Sequence, residues 1–122
     1  MAGEVTAAAE ALKAALRTVA GLRVVQDPGA TVDGPTAVVA VPALTWESHC
    51  VEPTGANWVV HLVVDANERA VERLWELVTA VSVAIDEEFL AGSVIRADPG
   101  TWSAGGPELP SYALQVDVAL GG

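Results

Sequence analysis

Few residues in this chain are of a kind that does chemistry, and their spacing limits what they can do. His49 and Cys50 are the one nucleophile-like pair. A cysteine–histidine dyad needs the imidazole within hydrogen-bond reach of the thiol. Neighbours on an extended chain point apart, so the pair reads as a loop histidine beside an incidental cysteine. His61 falls inside an alternating apolar run, where a packed or interfacial histidine is expected rather than a ligand. A metal cage would need His49, His61 and a carboxylate to converge, and no spacing brings them together. Cys50 is the single cysteine, which excludes an intrachain disulfide and any cysteine-based cage. Asp86-Glu87-Glu88 offers three carboxylates, but consecutive helical residues fan over most of a turn, which makes them a solvated helix end. No Gly-rich phosphate loop, Ser nucleophile elbow or zincin helix is present. The expectation is a protein that is not an enzyme and holds no cofactor and no metal.

The aromatic residues say more. Trp75 belongs to an apolar helical stripe and reads as core. Trp46 and Trp102 sit where strands run into two long loops. They are either packed at the edge of the core or anchors of a subunit interface, where buried Trp is enriched. The loop Glu47–Ala56 is ten residues long, against about two to five in most hairpins. It carries His49, Cys50 and Val51 and is stiffened by Pro53, an apolar content that a purely solvated loop has little use for. The candidate subunit or tube interface is therefore Trp46, Glu47, His49, Val51, Trp102, Gln115 and Asp117.

These residues need elements to hold them. The stretch Ala66–Leu90 is the longest. Asp65 with Glu68 fits a capping box, Asn67 is a second possible cap, and Gly92 is a plausible stop. Val71, Leu74, Trp75, Val78, Val81, Ile85 and Phe89 recur at spacings of three and four, one stripe down one side of a helix. Val5–Ala20 is a shorter helix with Val5, Ala9, Leu12, Leu16 and Val19 on its apolar side, ended by Gly21. Strands are expected at Leu22–Gln26, Thr36–Trp46, Trp58–Asp65, Ser93–Ala97 and Ser111–Leu120. In the third, Trp58, Val60, Leu62 and Val64 share one face. In the last, Tyr112, Leu114, Val116, Val118 and Leu120 do, leaving Gln115 and Asp117 on the other, toward water or a partner. Pro42 lacks a donor and marks an edge or a bulge. Asp27-Pro28-Gly29 and Asp98-Pro99-Gly100 read as turns, and their recurrence after a helix and a strand hints at an internal repeat. The order is α-β-β-β-α-β-β. The fold class is α+β: one domain with a mostly antiparallel sheet of four or five strands packed against two helices.

Composition narrows the function. The 122 residues suffice for one domain with one core. A formal charge of −10, from 6 basic and 16 acidic residues, speaks against a nucleic-acid reader and against docking on an anionic membrane. No apolar run approaches the roughly 18–20 residues of a membrane span. Met1-Ala2-Gly3-Glu4 lacks the start of a signal peptide, so secretion is not expected.

Several segments resemble small tail proteins from phages of high-GC bacteria: Gly21-Leu22-Arg23-Val24-Val25 with Asp27-Pro28-Gly29-Ala30, Leu44-Thr45-Trp46-Glu47, the helix segment Glu68–Glu76, and Ala97–Trp102. The nearest resemblance is to the tail terminator family of long-tailed siphophages, and it spans nearly the whole chain. Its motifs are turns and packing residues, shared with neighbouring neck proteins of similar size. The resemblance implies a hexameric ring of α+β subunits in the tail and neck region of the virion, made in the cytoplasm of the bacterial host. The ring would cap the tail tube protein, halt its polymerisation and meet the head-tail connector or stopper protein. DNA would pass through its lumen without specific binding. Another neck or head–tail joining protein is the alternative within that class. A small intracellular ligand-binding or enzymatic α+β domain is the alternative outside it, and would need a pocket with converging polar groups.

Overall fold

The computed structural model describes residues 3–26, 34–47, 49–103 and 108–120. Two helices, α1 (Gly3–Arg17) and α2 (Ala70–Glu88), pack on one face of a six-stranded sheet. The strands are β1 (Arg23–Val25), β2 (Thr36–Val39), β3 (Ala43–Thr45), β4 (Gly55–Val63), β5 (Gly92–Trp102) and β6 (Leu109–Ala119). They lie in the order β1-β2-β4-β6-β5, with β3 paired to β4 beyond the end of β2. Every pairing is antiparallel except β1 with β2. The class is α+β, as the alternation and helical spacing predict, with one strand more than expected.

Pro42 supplies that extra strand. Val39 faces Val60 and Ala43 faces Asn57, so three residues of the run oppose two of β4. The expected strand Thr36–Trp46 is therefore broken by a bulge into β2 and β3. Val41, beside the proline, points out and is 92% exposed. A second bulge lies on the opposite edge, where Val94 and Arg96 face the adjacent residues Val116 and Gln115 and Ile95 is extra. Both bulges fall at the same level of the sheet, the rows Trp58–Val116 and Val59–Gln115. Bulges bend and twist an edge away from further pairing.

Three expectations are corrected. Asp98-Pro99-Gly100 is not a turn: it lies within β5, opposite Ala113, Tyr112 and Ser111. β5 is an edge strand with one side free, the place where a sheet tolerates a residue without a donor. Strand β5 thus runs past Ala97 to Trp102, and no repeat is built on this motif. Asp27-Pro28-Gly29 lies outside the described residues. Second, α2 begins at Ala70 rather than Ala66, without a side-chain cap. The capping box Asp65–Glu68 does not form. Asn67 Oδ1 instead accepts the Arg69 N–H at 2.9 Å and the Asn67 carbonyl accepts from Ala70. Gly92 opens β5 instead of stopping the helix, and a Cβ there would meet the Phe89 ring at 2.8 Å. Third, the buried stripe of α2 is Ala70, Leu74, Val81, Ala84 and Ile85. Trp75 is not core: it is 57% exposed and Val71 52%. The Trp75 indole N–H reaches sideways to the Tyr112 hydroxyl at 3.0 Å.

The core itself follows the alternation. Trp58, Val60 and Leu62 of β4 and Leu114, Val116 and Val118 of β6 meet Leu12 and Leu16 of α1 and Val81 and Ile85 of α2. The first helix ends at Arg17, and Gly21 follows at φ +78, a conformation open to glycine at no steric cost. No helix among the described residues is long and apolar enough to cross a membrane.

Candidate interaction surface

The loop between β3 and β4 is held by its own backbone. The Thr54 N–H donates to the Thr45 carbonyl at 2.8 Å, and the Glu47 N–H to the Thr54 hydroxyl at 3.0 Å. The Cys50 N–H returns to the Glu47 carbonyl at 3.2 Å, and the Trp46 indole N–H donates to the Val51 carbonyl at 3.3 Å. His49 sits at φ +69, in the left-handed region that histidine enters more readily than most side chains. Strand β4 starts at Gly55, where a Cβ would lie 2.7 Å from the Thr45 hydroxyl, so glycine is what allows this close approach. The loop is thus shorter than the sequence suggests, about residues 46–54, and its described residues are tied by these bonds.

What it presents is apolar. Trp46 is 54% exposed and Val51 94%. Val51 gains almost nothing from burial within the subunit, and Trp46 leaves about half of its surface in water. The Leu120 N–H bonds the Thr54 carbonyl and the Ala119 N–H bonds the Ala91 carbonyl. The loop root and the turn after α2 therefore meet at the same end of the sheet, which adds Leu90, also 90% exposed. An open groove of ≈ 380 Å³ between β3, β4 and β6 is lined by Trp46, Glu47 and Asp117 among others.

Of the seven expected interface residues, Trp46, Glu47 and Asp117 line this groove and His49 and Val51 belong to the same loop. Gln115 stands two residues from Asp117 on the helix-free face of β6, beside Val59 and Arg96. Trp102 is elsewhere. It folds over the far rows of that face, its ring 4.8 Å from the His61 imidazole at a tilt of 43°. Its indole nitrogen is buried and has no acceptor among the described residues. Sequence reasoning missed Leu90, Val41 and Ile95. Pro42 signals the bulge that exposes Val41, whereas nothing in the pattern of β5 marks Ile95.

Cys50 is free and exposed. Among the described residues no three His, Cys, Asp or Glu side chains gather as a metal ion would require. Burial holds the His61 pKa below the usual histidine value. Val38 and Ala113 flank it in its row, Asp98 lies one strand further and is bound by Arg96, and Trp102 covers it. A depressed histidine pKa means the unfolded chain takes up the proton first, so stability is full above the unfolded value and falls as pH drops through the window beneath it. Urea midpoints measured above and below this window should differ more for the native chain than for His61→Gln. An equal difference in the two proteins would show that His61 takes no part.

Neither a known protein family nor a curated protein matches the chain.

Proposed function

We propose that this chain is a structural subunit of a phage virion, a tail terminator that closes into a ring on the tail tube and presents a surface to the head-tail connector. The observation that carries the reading is the hydrogen-bonded loop between β3 and β4, which leaves Val51 and about half of Trp46 in water at one end of the sheet. A side chain held rigid and left exposed loses little entropy on docking, which suits an interface anchor. The segment also begins with Trp46 and Glu47, the end of Leu44–Glu47, one of the stretches that resemble the tail proteins. The charge agrees with the role: a ring of subunits at −10 each repels a phosphate backbone passing through its lumen.

The test is the state of assembly. Native mass spectrometry of the purified chain, and electron microscopy of tail tubes incubated with it, should reveal closed rings, hexameric as the resemblance implies. Monomer in both experiments overturns the proposal.

A further inference from the structure

A chain of charge −10 repels its own copies, so any contact between copies must avoid uncompensated carboxylates. The acids are unevenly placed. From Asp65 to Glu88, the turn into α2 and the helix itself, seven carboxylates stand against two arginines. The 46–54 loop adds Glu47 and Glu52. The sheet face turned away from the helices differs from both. Register places Arg23 beside Thr36, Arg96 beside Gln115, Asp98 beside Ala113 and Asp117 beside Asn57. No other formally charged side chain of the six strands rises from that face, so its two cations and two carboxylates cancel; Glu47 of the adjoining loop is a further carboxylate at its end, in the groove with Asp117. Arg96 Nε holds both Asp98 oxygens, at 2.9 and 2.8 Å. Between these charges lie Asn57, Val59, Ala113 and Gln115, half-buried with no helix over them.

We propose that this helix-free face is where one copy of the chain meets the next. The inference rests on the reading that copies assemble, and adds the surface they use. A basic partner would be drawn to α2 or to the loop, where carboxylates are in excess; a second copy is the occupant that gains from a face where charge cancels. One further feature agrees. The β5 edge carries a bulge at Ile95, and on the other side the chain bulges at Val41 where β2 gives way to β3, which blunts strand-to-strand extension there and leaves the face as the route.

Sedimentation of the full chain at low and high salt tests this. Screening weakens the overall repulsion between copies, so association through a charge-balanced face strengthens as salt rises. Arg96→Glu and Arg69→Glu change net charge equally, and both remove an exposed ion pair with a nearby carboxylate. Arg96→Glu should weaken association about tenfold or more, while Arg69→Glu, on α2, leaves it within about threefold. Ser93→Glu, which adds a carboxylate to the same face and spares the Arg96–Asp98 pair, should act like Arg96→Glu and is the second variant if the first folds poorly. Rings that form regardless of both face variants overturn this surface and leave the ring reading standing. Association that weakens with salt overturns it as well, because copies would then be held by opposite charges. A native chain that never associates, free or on tubes, overturns both readings.

Discussion

Trp58→Ala is expected to lower the unfolding free energy by roughly 3–5 kcal/mol, a large part of the ~5–15 kcal/mol that holds a domain folded. The urea midpoint reads it directly. Trp58 is 1% exposed and stands mid-sheet, on the helix side, opposite Val116. Removing the indole leaves a cavity bounded by elements that cannot collapse into it without breaking the β4–β6 ladder. Trp75→Ala sets the scale. Its ring is 57% exposed and its main polar tie is the single bond to the Tyr112 hydroxyl, so a loss of about 1 kcal/mol or less is expected. Equal losses at the two positions would show that α2 is rotated from the orientation described above.

The two tryptophans also show what the sequence carried and what it did not. Strict alternation made the inner faces of β4 and β6 legible residue by residue, Trp58 included. A helical stripe is less determinate, because spacings of three and four fit several overlapping lines. Val71 and Trp75 drew the expected stripe toward themselves by their size. The true line runs through Ala70 and Ala84, which are buried although their methyl groups count for little in a hydrophobic pattern. Asp98-Pro99-Gly100 failed for a different reason: local turn chemistry cannot reveal that a strand will be an edge, and only the edge position lets proline remain in the ladder. For the interaction surface, the apolar content of the β3–β4 loop was visible and its bonding was not. The acceptors that fix Trp46 and Cys50 are main-chain carbonyls, which every residue has. Trp102 looked like a partner of Trp46 because both adjoin loops, yet its ring lies against His61, a pairing that depends on the sheet register and not on local sequence.

Shortening the β3–β4 loop should abolish assembly while the subunit still folds. The design replaces residues 48–53 with a two-residue turn containing glycine, keeping Glu47 and Thr54. The Thr54-to-Thr45 bond that closes the hairpin survives, as does the Thr54 carbonyl that receives the Leu120 N–H. Loop closure depends weakly on length, and the residues removed bury little: Val51 is 94% exposed and Cys50 is exposed too. Circular dichroism and the melting transition should therefore stay close to those of the native chain. Two things are lost, the Val51 side chain and the carbonyl that orients the Trp46 indole. If the loop anchors the subunit on the tube, beside the sheet face that joins copies, ring assembly on the tube falls away with them. Val51→Asp is the companion variant. It leaves every described backbone bond in place and, at so exposed a position, costs the subunit about 0.5 kcal/mol or less. A carboxylate at the centre of an apolar contact should nevertheless prevent docking. Tails of normal length, capped and joined to heads, made with either folded variant would refute the role assigned to this loop.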